Sequence, residues 1–489
     1  MSGPALRPSA ADPVAPARPA TVADRLVALT PALALVMACL LVFRARYLPV
    51  SDPDLFWHLR LGEHLRSTWD FVGPEPWSSL ATQPLVFHEW LPQLFLDGLF
   101  EVGGYEVLAT VQALAAVGLL VALYAFARQF AASLPSAVLS IVGFVGASGS
   151  IAPRPQLVTF VLTGVFAVAW IRSADDGLPR WWLVPLSWVW TCSHGLWFVG
   201  VALGGAAVLA ALLDGRLGRR EVARLALVPL LSLVAAALTP VGPRLLLTAG
   251  GMAAYTPYVT EWSRPSVLMH QTAAALVIAG LSLVVWVVRR PTFTWTGAAF
   301  WVVGVACTLM YVRTIALGAV LLTVVAASTL GRLAAGPAPA TLPRRREWVT
   351  VGVGVLLAAT LVPATSSLDV SRPATVPLAM DPALSSLDPG TVVFNDYDIG
   401  GWLLWHHPEL DPVVDGRADV YDIEHFRAVM ESFSARPGWD ETVTATGARV
   451  ALLKGSSPLA GALRDRSGWT VSGDDGTYVL LRASGVTVP

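Results

Sequence analysis

The chain has 489 residues, of which 55% are hydrophobic and only 14% charged, with a mean hydropathy of +0.60. That balance argues against a soluble enzyme and for an integral membrane protein. A formal net charge of -1 supplies no basic field for nucleic acid, and Cys39, Cys192 and Cys307 sit in apolar runs without metal-ligand spacing, as packing residues do.

Residues 1–26, rich in Ala and Pro, read as a disordered cytoplasmic tail. A hydrocarbon core of roughly 30 Å needs about 20 mostly apolar residues per helix. Helices are expected near 27–46, 105–126, 133–150, 155–172, 181–193, 195–213, 224–240, 271–288, 294–311, 313–330 and 348–364, eleven in all. Pro185 and the Ser193-His194-Gly195 break interrupt the fifth and sixth. A cytoplasmic N-terminus puts the basic clusters at Arg7 to Arg25, Arg128, Arg172 with Arg180, Arg216 to Arg224, Arg289 with Arg290, and Arg332 to Arg346 on one side, as short cytoplasmic loops require. The other side then receives loop 47–104, loop 241–270 and residues 365–489. Residues 1–364 hold 24 basic against 17 acidic side chains, and the remainder 9 against 17. The near-zero total therefore joins a basic membrane domain, 27–364, to an acidic extracytoplasmic domain, 365–489.

Loop 47–104 carries the densest chemistry. From Pro53 to Trp69 the apolar residues recur at helical spacing, giving an amphipathic helix expected in the membrane interface. Asp52 or Asp54 stands at its N-terminus, either as a cap or as a carboxylate facing a lipid-linked head group. His88 and Glu89 open a second amphipathic segment in the same loop. A carboxylate there can take a proton from an acceptor hydroxyl, or two with a histidine can hold a divalent cation such as Mg or Mn on a phosphate. The alternative for His58, His64 and His88 is that they are interfacial side chains with snorkelling rings.

Further along, Arg154, Arg244, Arg264 and Arg313 lie at the outer ends of spans, where orientation does not need them. A guanidinium matches phosphate oxygens, so Arg154 and Arg313 are candidates to neutralise a lipid phosphate, or else snorkel. His194, at the helix break, either lines a cavity or bonds to a carbonyl.

From Thr391 strands and helices alternate: "TVVFN", "IGGWLLWHH", "PVVDGR", "IEHFRAVMESF", "ARVALLKG", "SPLAGALRDRS" and a hairpin in "WTVSGDDGTYVLLR". That pattern gives a small α/β domain. Asp396, Asp398, Asp415, Arg417 and Asp419 follow two of its strands, where α/β ligands usually sit. The structural alternative is that they serve the turns and Arg417 ties them together. No Walker loop, GxSxG or HExxH occurs.

A first span followed at once by an outer Asp-x-Asp loop, an interfacial helix, more spans and an outer C-terminal domain resembles the GT-C class of polytopic glycosyltransferases, distantly including the protein mannosyltransferases and oligosaccharyltransferases. "DPDLFWHLRLGEHL", "FHEWLPQLFLDGLFEVGG", "RPQLVTF", "WVWTCSHGLWFVG", "FNDYDIGGWLLW" and "DGRADVY" are similar to stretches of a bacterial GT-C-like set. The resemblance implies inverting sugar transfer from a polyprenyl-phosphate donor to a glycan, lipid or protein acceptor at the outer face of the cytoplasmic membrane. It also implies an outer-loop Asp, Asp52 or Asp54, as base or metal ligand. Glu261, in "YVTEWSRP", matches a second acid of some relatives; its alternative is an ion pair with Arg264. The rival function is a transporter or non-catalytic membrane protein whose outer domain binds carbohydrate or a partner. The acids cluster in loops and not at mid-membrane, which favours surface chemistry.

Overall fold

The computed structural model describes residues 22–246, 254–333, 343–465 and 468–484, so the expected tail lies, as far as residue 21, outside the described residues. Each of the eleven expected spans is helical. In chain order the membrane body contains α1 (Val22–Arg46), α2 (Pro53–Thr68), α3 (Trp90–Ala127), α4 (Ser133–Ala147), α5 (Gln156–Asp176), α6 (Leu183–Thr191), α7 (Phe198–Asp214) and α8 (Arg219–Ala237). It continues with α9 (His270–Arg289), α10 (Trp295–Met310), α11 (Ile315–Gly331) and α12 (Arg344–Thr365). Among the described residues, eight stretches, built on α1, α3, α4, α5, α7, α9, α11 and α12, are long and apolar enough to cross a membrane; three of them, Ser133–Ser150, Gly195–Asp214 and Val312–Gly331, include the adjoining single turn. The other three fall short for separate reasons. The nine residues of α6 extend only about 13 Å, α10 has 16 residues, and α8 begins with Arg219, Arg220, Glu221 and Arg224.

α3 is two helices joined end to end. Gly103 and Gly104 leave helical geometry, and Gly104 adopts φ +58°, ψ -146°, a conformation that an L side chain resists. The segment from Trp90 to Val102 therefore runs in its own direction, and the long apolar helix starts at Tyr105. α11 is the axis of the bundle: every side chain from Ile315 to Thr329 is buried, and it packs against α4, α9 and α10. At the end opposite α2, Arg128 binds Glu347 at 2.8 Å and Arg332 binds Asp175 at 2.8 Å.

Within the loop after α2, β1 (Val72–Gly73) and β2 (Leu85–Val86) form a short antiparallel ladder, which no alternation in the sequence announces. The C-terminal region folds on a five-stranded sheet of order β4-β3-β5-β7-β6, with β3 (Val392–Asn395), β4 (Asp411–Pro412), β5 (Val450–Lys454), β6 (Trp469–Asp474) and β7 (Tyr478–Ala483). β3, β4 and β5 run parallel, whereas β7 is antiparallel to both β5 and β6. Helices Gly400–His406, Ile423–Ser432 and Pro458–Asp465 fall where the sequence puts them; Trp439–Ala445 is an additional one.

The main departure concerns α2. Its apolar face is covered by protein and does not lie free for lipid. Leu55, Phe56 and Leu59 share a core with Val393, Ile399, Trp402 and Leu403, while Trp57, Leu61 and Leu65 share another with Phe394, Leu404, Val413 and Val414. An amphipathic stripe states that one face is buried, not what buries it. Here the 90–102 segment of α3 does so on one side and the C-terminal sheet region on another, and the latter seats the carboxyl ends of β3 and β4 over the start of α2.

Candidate active site

Five side chains singled out from the sequence meet at the start of α2. Asp52 caps the helix: its Oδ1 accepts the Asp54 N–H at 2.9 Å. Its Oδ2 accepts Arg154 Nε at 2.6 Å. Arg154, held between Pro153 and Pro155 just before α5, also reaches Asp54 Oδ2 at 2.9 Å and Glu261 Oε1 at 2.7 Å. Glu261 Oε2 in turn accepts Arg313 at 2.8 Å, so Glu261 pairs with Arg154 and Arg313, and not with the Arg264 of its alternative reading. Glu261 sits on a single turn, Thr260–Trp262, and Arg313 on another, Val312–Thr314. The Val312 N–H donates to Ser263 O at 3.0 Å and joins the two turns. One guanidinium thus gathers carboxylates from two loops far apart in the chain.

The two aspartates are not equivalent. Both Asp52 oxygens are committed, and its side chain is 7% exposed. Asp54 is 23% exposed, and burial, countered by Arg154 but reinforced by the neighbouring Asp52 and Glu261 charges, pushes its carboxyl up to about 6. Burial alone would raise Glu261, but Arg154 and Arg313 hold it below the usual range. Above Asp54 lies the turn after β4: a Cβ on Gly416 would stand 2.6 Å from Asp54 Oδ1 and 2.5 Å from Trp57 Nε1. Only a residue without a side chain lets the C-terminal region approach the carboxylate this closely.

A second node surrounds Glu89. His194, His88 and His58 turn Nε2 toward its carboxylate at 3.6, 3.9 and 4.0 Å. The other ring nitrogen of each is tied down: His194 Nδ1 to Thr159 Oγ1 at 2.9 Å, His88 Nδ1 to Val86 O at 3.1 Å, and His58 Nδ1 to Gln93 Nε2 at 3.4 Å. Thr159 is itself bonded by Trp190 Nε1 at 2.8 Å. Burial raises the Glu89 carboxyl, and burial together with Arg154 keeps His58 well below the usual histidine range, hence neutral. His88 and Glu89 are therefore brought together with His194, which the sequence placed in another group.

The remaining candidates lie apart from these nodes. Asp415 is fully buried and clasped by Arg417, whose Nε and Nη2 donate at 2.9 and 2.7 Å, and by Tyr421 Oη at 2.7 Å. Arg417 Nη1 also binds Glu75 Oε1 at 2.6 Å, which locks the sheet region to the loop after α2. The tie described as the structural alternative for Arg417 accounts for these contacts. Asp396 and Asp398 pair with Lys454. Sequence reasoning did not single out Glu75, Thr159, Gln93 or Gly416, although the last three lie inside the quoted stretches "RPQLVTF", "FHEWLPQLFLDGLFEVGG" and "DGRADVY".

Asp52, Asp54 and Glu261 are the carboxylates that a divalent cation would need. As placed, each is turned to Arg154, and among the described residues no three Asp, Glu, His or Cys side chains stand in metal-holding geometry. The donor set does not fit a cation in this arrangement.

No protein-family model matches the chain, nor does any curated protein sequence. Among solved structures, it is similar to the Archaeoglobus fulgidus oligosaccharyltransferase in the apo form, at TM-score 0.53 and 10% identity, over 86% of this chain and 69% of that one. The same enzyme tethered through a disulfide bond to an acceptor peptide containing the NVT sequon matches at TM-score 0.50 and 9% identity, over 86% and 69%. At such identity the likeness is one of fold: the chain is a membrane protein with a GT-C-like fold.

Proposed function

We propose that this chain is a membrane glycosyltransferase that moves a sugar from a polyprenyl-phosphate donor to an acceptor hydroxyl on the outer face of the cytoplasmic membrane. The observation that carries the reading is the gathering of Asp54, Arg154, Glu261 and Arg313 at one end of the bundle. They sit beneath the carboxyl ends of parallel strands. The GT-C-like fold supports it, as does the oligosaccharyltransferase identity of the fold's neighbours.

Asp54 is the base. A carboxylate with a proton affinity near pH 6 is ionised at neutral pH yet accepts a proton more readily than an ordinary aspartate. Asp54 removes the acceptor hydroxyl proton while that oxygen bonds to the anomeric carbon. The bond from that carbon to the phosphate oxygen breaks, and polyprenyl phosphate leaves with the electron pair. Direct displacement inverts the anomeric centre. Arg154 and Arg313 neutralise charge growing on the leaving phosphate. Asp52 holds both the helix start and Arg154 in place.

The test incubates purified full-length protein with a panel of polyprenyl-phosphate sugars and follows sugar release. Release by wild type that falls at least about a hundredfold in Asp54→Asn supports the reading; equal release from both contradicts it.

A further inference from the structure

Glu261 occupies an unusual position for an acidic side chain. Its two oxygens bridge two guanidinium groups, Oε1 at 2.7 Å from Arg154 and Oε2 at 2.8 Å from Arg313. That is the posture a phosphate takes between two arginines. We propose that Glu261 is a built-in stand-in for the phosphate: its carboxylate holds the Arg154–Arg313 anion site until a phosphate ester displaces it. This rests on the donor chemistry proposed above and adds how the site receives that donor.

Charge makes displacement necessary. Asp52, Asp54 and Glu261 against Arg154 and Arg313 amount to a formal charge of about -1, so an arriving anion meets net repulsion unless a carboxylate withdraws. Glu261 is the one free to do so. Asp52 is bound as a helix cap at 7% exposure, while Glu261 is 34% exposed and lies on a one-turn segment outside the long helices. Its departure need not move the backbone. The Val312 N–H to Ser263 O bond holds its turn, and Trp262 packs edge-on against Tyr311 at 5.3 Å. Arg313 also stays in place, because its guanidinium lies 5.7 Å over the Trp262 ring. Rotation of one side chain therefore opens the site and leaves both cations positioned.

The proposal fixes the sign of a mutation. If Glu261 assisted binding, its loss would weaken phosphate affinity; as a competitor, its loss strengthens it. The test measures Kd at pH 8, where Asp54 is ionised and cannot relieve the repulsion by taking a proton. The probes are inorganic phosphate with the protein in detergent, and undecaprenyl phosphate with the protein in lipid nanodiscs. Glu261→Gln is expected to bind about tenfold tighter than wild type, and Arg313→Gln to lose binding. A gain with both probes assigns the site to the phosphate group alone; a gain with the lipid only assigns it to the lipid headgroup. Unchanged or weaker binding by Glu261→Gln with both probes overturns the proposal. Should Glu261→Gln fail to fold, Glu261→Ala, which removes the same charge and both oxygens, carries the same expectation and the same refutation. Turnover is not read, so absence of glycosyl transfer would sink the proposed activity and leave this result standing or falling separately.

Discussion

Gly416→Ala tests how the sheet region bears on the base. The new Cβ would sit 2.6 Å from Asp54 Oδ1 and 2.5 Å from Trp57 Nε1. Comfortable contact begins at about 3.5 Å, so Asp54, Trp57 or the turn must yield by roughly 0.9 Å. The turn yields least, since Asp415 on one side and Arg417 on the other are locked into the buried network with Tyr421 and Glu75. Asp54 is the softer neighbour and would be pushed off its 2.9 Å contact with Arg154. A misplacement near 1 Å of a reacting group costs on the order of a hundredfold in rate, and overpacking costs about 1–3 kcal/mol of stability. The assay pairs sugar release from the active polyprenyl-phosphate donor with a thermal melt. Gly461→Ala serves as control, because a Cβ there meets nothing within 4 Å. Gly416→Ala is expected to lose about a hundredfold in kcat while its melting temperature falls by a few degrees. Activity within twofold of wild type would refute the claim that this turn positions Asp54.

Other perturbations have defined outcomes. Arg154→Gln leaves three carboxylates facing one another; it should abolish sugar release and lower the melting midpoint by an amount matching about 3–5 kcal/mol, and Arg154→Lys should restore stability more than activity. kcat/KM should fall about tenfold per pH unit below about 6, as the raised Asp54 carboxyl takes up its proton and ceases to be a base; a profile flat from pH 5 to 8 would contradict this. Arg417→Ala strands the fully buried Asp415 charge and should cost about 3–5 kcal/mol in a denaturation midpoint. Arg464→Ala, which removes an exposed pair with Asp474, should change it by about 1 kcal/mol or less.

Much of this arrangement is legible in the amino-acid sequence. Hydropathy locates the helical segments because lipid imposes one length scale. Arg154 and Arg313 stand out because the expected topology leaves them away from the basic loops, and both take part in the central cluster. What escaped has a physical reason. The cover over α2 depends on Trp402 and Leu403 meeting Phe56 and Leu59 from the far end of the chain, which no local period encodes. The choice between Asp52 and Asp54 turns on which oxygens are already bonded, and two acids flanking one proline look alike in sequence. The role of Gly416 emerges only from its missing side chain facing Asp54.

Asp54, and not its neighbour Asp52, is the residue proposed to remove the acceptor proton. The most direct test compares Asp54→Asn with Asp52→Asn in single-turnover sugar transfer at neutral pH, each variant checked for wild-type melting behaviour. Asn at position 52 can still accept the Asp54 N–H that its carboxylate accepts at 2.9 Å, so that variant should transfer sugar at a reduced but measurable rate. Asp54→Asn should fall by at least about a hundredfold. A well-folded Asp54→Asn protein that transfers sugar as fast as wild type would show that Asp54 is not the base.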